Sequence, residues 1–272
     1  MTQPIVVSLG EILWDMLPEG KRAGGAPVNF TYHASHNGSI GRSISAVGND
    51  SLGDELVAAV KNAGIDAIIQ RNDFPTGTVG VVLNDGIPTY EIVEGVAWDH
   101  IALTDELIDV VAQADAVCFG SLACREEESR NTLLELLKHT KPGALKYYDI
   151  NIRADYFSQE LIEEQLKAAT VFKINDDELE LLRPMFNVEG SDEEACAWFI
   201  KNYDLDYMIL TGGSRFSIIM HKDGEVSHVK TPRVKVNDTV GAGDSFTSTF
   251  CSAILAGKSI KQAHKLAVEV SA

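Results

Sequence analysis

The sequence predicts an α/β fold: a doubly wound, mostly parallel sheet flanked by helices, with a small β lid beside it. Short apolar runs recur along the 272 residues, and amphipathic helical patterns lie between them. These runs are apolar throughout, as strands buried on both faces should be. One β-rich stretch breaks the alternation and supplies the lid.

The elements follow in chain order. Residues 5–9 form the first strand, and 11–17 read as a second with no helix between them. The run 44–47 leads into a helix over 51–63, which puts Leu52, Leu56 and Val60 on one face and stops at Gly64. Segments 78–83 and 89–93 are rich in β-formers and flank Asp85-Gly86, a hairpin signal. The lid is therefore expected from about 11–23 and 78–98. Strands at 116–120, 146–150, 171–174 and 207–210 continue the sheet, with helices at 105–113, 126–138 and 158–168. Ser191 with Glu194, and Ser259 with Gln262, read as capping boxes that open two further helices. A second hairpin pairs 216–220 with 225–229 around Asp223-Gly224. The last helical pattern is still amphipathic at residue 272 and meets no stop signal, so a truncated C-terminus is expected. There is no internal repeat or low-complexity linker, and 1–272 reads as one domain.

A formal net charge of −17 excludes a general attraction to nucleic acid or anionic lipid. It also repels nucleotides at long range, so a phosphate site has to be made locally from backbone amides, a few cations and Mg²⁺. The four cysteines show no CxxC pair and no zinc-ligand spacing. They read as buried free thiols. The N-terminus reads as a strand, not a signal peptide, and no apolar run is long enough to span a bilayer. A cytoplasmic location follows as the expectation.

Ligands of doubly wound sheets bind at the carboxyl ends of the strands. Polar residues and glycines cluster there in this chain. Asp149, Asn151 and Arg153 follow one run, Asn175 and Glu178 another, and Thr211, Gly212 and Gly213 a third. After 234–236 comes Asn237-Asp238-Thr239-Val240-Gly241-Ala242-Gly243-Asp244, opening an apolar helix. Gly241 and Gly243 let backbone N–H groups crowd a ligand, and the helix start adds orphan donors and a positive dipole end. Together they suit a phosphate. A carboxylate at Asp244 would repel a resting phosphate, which points to a group that takes a proton from an incoming hydroxyl. The plainer alternative is a first-turn aspartate that favours the helix dipole. In Gly24-Gly25-Ala26-Pro27-Val28-Asn29 the glycines permit close approach, Pro27 suits a first helical turn, and Asn29 both donates and accepts. An ordinary turn into a helix also explains it. Asn175 and Glu178 form either a capping box, a water-mediated seat for Mg²⁺, or both. Trp14, Trp98 and His100 are either pocket walls or packing.

The combination of GGAPVN, a mid-chain N-x-x-E and DTVGAGD resembles the PfkB/ribokinase family of carbohydrate kinases over essentially the whole chain. GEILWDMLPEG (10–20), PTGTVG (75–80) and DINIR (149–153) resemble its fructokinase branch. The resemblance implies transfer of the ATP γ-phosphoryl to a primary sugar hydroxyl, with D-fructose the expected acceptor. It implies Asp244 as base and the amides of Gly241, Ala242 and Gly243 as anion hole. Asp15, Gly25 and Asn29 would hold sugar hydroxyls, and Arg153 would reach the sugar or the phosphates. Asn175, Thr211 and Gly213 would line the nucleotide site, and Glu178 would hold Mg²⁺ through water. Asp238 and the Val240 carbonyl match two ligands of a monovalent cation, K⁺. Two features depart from the pattern. The family segment completing the adenine pocket and the cation site would lie beyond residue 272, and Val268 stands where many relatives have Asn. The implied partners are a sugar and ATP, with a homodimer through exposed lid edges. Alternatives are a kinase for 2-keto-3-deoxygluconate or ribose, or a non-catalytic sugar or nucleotide sensor. A dinucleotide oxidoreductase is disfavoured because no GxGxxG follows the first strand.

Overall fold

The computed structural model describes residues 2–84, 87–232 and 241–271. In chain order they form β1 (Ile5–Leu9), β2 (Leu13–Leu17), β3 (Gly20–Gly24), α1 (Ala26–His36), β4 (Ile40–Gly48), α2 (Ser51–Asn62), β5 (Asp66–Asn72), β6 (Thr78–Asn84) and β7 (Ile87–Ile92). Then come α3 (Asp105–Ala112), β8 (Ala116–Phe119), α4 (Glu127–Lys138), β9 (Leu145–Asp149), α5 (Gln159–Ala168), β10 (Val171–Asn175), α6 (Asp176–Phe186) and α7 (Asp192–Tyr203). β11 (Tyr207–Thr211), β12 (Phe216–His221), β13 (Val226–Lys230), α8 (Ala242–Leu255) and α9 (Ile260–Ser271) complete the chain.

Among the described residues, nine strands make one sheet in the order β13-β12-β11-β10-β9-β8-β1-β4-β5. It is parallel from β11 to β5, and the hairpin β12–β13 adds two antiparallel strands at one edge. The chain leaves β1 toward β4 and β5 and later returns to β8 on the other side of β1. The switch point of a doubly wound sheet therefore lies between β1 and β8. A second, four-stranded sheet has the order β3-β2-β6-β7. Its β2–β6 pair is parallel and its other pairs are antiparallel.

Side chains alternate across the large sheet. Val7, Val117, Tyr148 and Phe172 face one layer of helices, packing with Leu133, Leu136, Leu166, Leu179 and Phe199. Val6, Cys118, Tyr147 and Val171 face the other, packing with Phe30 of α1, Phe250 of α8 and Ala263 of α9. Each large apolar side chain buried this way contributes roughly 1.5–3 kcal/mol. All four cysteines are buried and free. Among the described residues no helix is long and apolar enough to cross a membrane.

The predicted strands at 5–9, 44–47, 116–120, 146–150, 171–174 and 207–210 and the helices between them lie within a residue or two of these bounds, apart from β4, which runs longer at both ends. Two differences are informative. Glu11 and Ile12 do not continue a strand, because β2 begins at Leu13. β5 was not expected: its sequence DAIIQRN carries charge at both ends and it borders the sheet beside β4 alone. The run 234–236, and Asn237, Asp238 and Val240, lie outside the described residues, as does the Asp85-Gly86 turn between β6 and β7.

Candidate active site

Two helices begin side by side above the switch point. α1 is capped by Gly25 at φ 126°, and Pro27 lies in its first turn. A Cβ on Gly25 would collide with the carbonyl oxygen of Glu11, so only glycine lets the loop after β1 lie against this helix start. α8 is capped by Gly241 at φ 79°, and Ser245 N–H returns to the Gly241 carbonyl at 2.8 Å to begin the helical ladder. The helices run together along a polar seam, with Asn37 donating to Thr249 at 2.8 Å and Ser39 to Ser252 at 2.9 Å.

At the head of that seam Asn29 Nδ2 donates to Asp244 Oδ2 at 3.0 Å. Asp244 is partly exposed. Burial pushes its carboxyl up to about 7, with the Asp149 charge adding to the rise; the Asn29 bond and the Lys173 ammonium oppose it. Beneath it, register pairs Lys173 of β10 with Asp149 of β9. Both side chains lie on the α8 face of the sheet, two residues beyond Val171 and Tyr147 of the same face. Lys173 Nζ donates to Asp149 Oδ1 at 2.9 Å, and Thr247 of α8 donates to Asp149 Oδ2 at 3.1 Å. Burial alone would lower the Lys173 pKa, but the carboxylates of Asp149, Glu178 and Asp244 more than offset it and hold the ammonium protonated. A Cβ at Gly243 would lie 3.4 Å from that ammonium, so the cation sits directly under the first turn of α8.

A narrow cavity opens here, walled by Glu11, Pro27, Phe30, Ser121, Asp149 and Asp244 among others. It lies at the carboxyl ends of β1, β8 and β9, at the switch point. Glu11 is 3% exposed and its Oε2 has no partner among the described residues. Burial pushes its carboxyl up to about 7, against its own and the Ala26 N–H and the guanidinium charges of Arg153 and Arg125.

The chain matches the model of the pfkB family carbohydrate kinases over residues 19–272. It belongs to that family. It is 30% identical over 271 residues to a sugar kinase of Pyrococcus horikoshii, spanning 92% of this chain and 83% of that one. The solved structure of that protein, described as an uncharacterised sugar kinase, superposes with a TM-score of 0.84 and covers 98% of this chain and 90% of its own. A fructokinase of Solanum tuberosum is 28% identical over 96% of this chain and 84% of its own. An ATP-dependent 6-phosphofructokinase of Thermoanaerobacterium thermosaccharolyticum is 27% identical over 98% of this chain and 86% of its own. The chain is therefore a sugar phosphotransferase with a ribokinase-like fold.

The other candidates of this pfkB-family chain fall into two groups. Asp15 projects from β2 opposite Arg22 and lies close to Gly24, where a Cβ would come 2.6 Å from Asp15 Oδ2. Burial raises its pKa, against the charges of Arg22 and Arg153. Arg153 is exposed on the loop after β9, where Asn151 and Ala154 hold positive φ. Its charge acts on both Glu11 and Asp15, so the cavity and the small sheet share one cation. The second group lies at the ends of the adjoining strands β10 and β11. Asn175 caps α6, accepting from Glu178 N–H at 2.8 Å, and Glu178 accepts from Asn175 N–H at 2.7 Å and Ile152 N–H at 2.9 Å. Thr211 sits beside Asn175 in register, and Gly213 follows at φ 56°.

Trp14, Trp98 and His100 serve packing. Trp14 donates to the Leu52 carbonyl, Trp98 lies under the Arg125 guanidinium, and His100 stacks on Phe74 beside Glu128. Lys173 and Thr247, which bond Asp149, and Glu11, which lines the cavity, are absent from the candidates read in the sequence. The available signal for Lys173 was a lone charge inside the apolar strand VFKIN. For Glu11 it was an acid two residues past the first buried strand.

Proposed function

We propose that this chain transfers the γ-phosphoryl group of ATP to a primary hydroxyl of a neutral sugar, D-fructose foremost, with Asp244 as general base. The observation that carries the reading is the Asp244 carboxyl. It stands at the start of α8, fixed by Asn29, with a proton affinity poised near neutrality. The sugar enters the cavity and the small sheet acts as its lid; Asp15, Gly25 and Asn29 would hold its hydroxyls, and Arg153 would reach the sugar or the phosphates. Asp244 accepts the hydroxyl proton as oxygen attacks the phosphorus. The amides of Gly241, Ala242 and Gly243 and the underlying Lys173 ammonium face the charge that spreads over the transferring group. Excluding water from the closed cleft limits hydrolysis of ATP.

ATP use is supported by the ATP complex described for the Pyrococcus horikoshii sugar kinase. Asn175, Thr211 and Gly213 at the ends of β10 and β11 would line the nucleotide site. Each Glu178 oxygen already accepts one backbone N–H and keeps a second lone pair. That donor set fits a Mg²⁺ ion held through its water shell, where the ion would neutralise phosphate charge. The K⁺ ligands expected at Asp238 and Val240 lie outside the described residues.

The preference for a neutral sugar rests on the cavity walls. Glu11, Asp149 and Asp244 all contribute carboxyls there, which disfavours the carboxylate of 2-keto-3-deoxygluconate or the phosphate of a sugar phosphate. The test is ADP release with ATP, Mg²⁺ and K⁺ against fructose, ribose, 2-keto-3-deoxygluconate, fructose 6-phosphate and no sugar. Turnover highest with fructose supports the reading in full. A higher rate with an anionic sugar contradicts the substrate assignment, and no sugar-dependent ADP release contradicts the reaction.

A further inference from the structure

Glu11 lines the cavity and has no part in the proposed reaction. Its side chain is 97% hidden, yet Oε2 has no hydrogen-bond partner among the described residues. A buried carboxyl oxygen left unpaired costs free energy, more if it is charged, so a hydrogen-bond donor placed beside it is stabilising. Other buried side-chain atoms without partners, such as Ser45 Oγ, Trp98 Nε1 and Tyr148 OH, belong to residues that do not line this cavity. Glu11 lines it together with Asp244.

The position is built rather than incidental. Glu11 follows β1 at the switch point, and its carbonyl occupies the space that a side chain on Gly25 would need. The loop after β1 is thereby locked against the start of α1. The Ala26 N–H of that helix and the charges of Arg153 and Arg125 favour the ionised carboxyl against the cost of burial. Around it the wall alternates apolar surface from Pro27, Phe30 and Phe119 with polar groups from Ser121 and Asn151. Such a wall matches the mixed C–H and hydroxyl surface of a carbohydrate.

We infer that Glu11 is a further substrate-binding residue whose free Oε2 takes a hydrogen bond from a sugar hydroxyl inside the cavity shared with Asp244. The inference rests on the sugar-kinase reading and deepens it, by assigning a specificity contact that Asp15, Gly25 and Asn29 do not supply. A carboxyl at this spot accepts from a hydroxyl and pairs poorly with an anionic group, so it selects polyhydroxylated neutral sugars.

The test compares wild type, Glu11→Gln and Glu11→Ala in steady-state kinetics with D-fructose and with ATP. Glu11→Ala is expected to raise the KM for fructose by roughly tenfold or more, the range for a hydrogen bond to a charged group. The KM for ATP should stay within about twofold, which also reports that the variant is folded. Glu11→Gln, whose amide oxygen still accepts, should fall between. Among 3-deoxy- and 4-deoxyfructose, the analogue lacking the contacted hydroxyl should lose affinity with wild type and lose nothing further with Glu11→Ala. Unchanged fructose KM in both variants overturns the inference while leaving the kinase reading intact. Absence of sugar-dependent turnover by wild type overturns the kinase reading and the inference with it. A wild-type crystal structure with bound D-fructose decides the matter if neither variant folds: a sugar with no hydroxyl within hydrogen-bonding reach of Glu11, or a water alone on Oε2, overturns the inference.

Discussion

Two buried polar clusters sit in different parts of this molecule and are finished differently. In one, His264 of α9 is wholly buried between Ser217 of β12 and Ser227 of β13, with Nε2 at 2.7 Å and Nδ1 at 2.8 Å from their hydroxyls. Both ring nitrogens are occupied, and burial pushes the imidazole down to about 4, with His228 adding to the fall. In the other, below the start of α8, Lys173 and Asp149 are paired, but Glu11 keeps a bare oxygen and Asp244 is held by Asn29 at a proton affinity near neutrality. The first cluster is closed on itself and ties a helix to the sheet. The second leaves an acceptor facing the cavity. What separates the two clusters is a carboxyl facing a cavity: Glu11 and Asp244 both line one, whereas His264 is enclosed by its two serine partners.

That contrast can be broken most forcefully at Lys173. Lys173→Met leaves the Asp149 carboxylate buried without its cation and is expected to destabilise the protein by about 3–5 kcal/mol, read by denaturant unfolding. A loss below 1 kcal/mol would mean that the pair is not buried as described. Next comes pH. Asp244 accepts a proton only when ionised, so sugar kcat/KM should fall about tenfold per unit below about 7 and level off above it. A rate flat from pH 5 to 8 would remove the poised base. Gly25→Ala puts a side chain at φ 126° against the Glu11 carbonyl. A cost of about 1–3 kcal/mol is expected, together with a raised sugar KM, because the loop carrying Glu11 must shift. The closed cluster affects stability alone. The unfolded chain protonates His264 near 6.5, whereas the folded chain resists until about 4, so acid favours unfolding through that window. His264→Gln should flatten the dependence of Tm on pH between those values without changing the pH dependence of turnover.

The fold was legible because its strands are apolar throughout and its helices carry their caps in the sequence, as Ser191 with Glu194 shows by bonding reciprocally. β5 escaped because a strand at the border of a sheet needs neither an apolar run nor clean alternation. Of the site, the glycines at 25 and 241 and the acid at 244 announce themselves through backbone demands and spacing. Lys173 and Thr247 do not, because their contacts arise from parallel register and from the approach of α8 to β9, and Glu11 does not, because its place beside Asp244 depends on the loop after β1 meeting the start of α1. Lys173 meets Asp149 only once β9 and β10 are aligned. The capping role of Asn175 and Glu178 is likewise present in the structure, and it leaves lone pairs for a second task.

The most direct test of the central claim is turnover of the preferred sugar by Asp244→Asn beside wild type, with thermal unfolding measured on both. The amide is isosteric, and Asn29 can turn its own amide to donate or accept. The account predicts an unchanged Tm within a few degrees and a fall in kcat of about 10²–10⁴-fold. Near-normal turnover by Asp244→Asn would contradict it and leave α8 with an acidic first turn and no base.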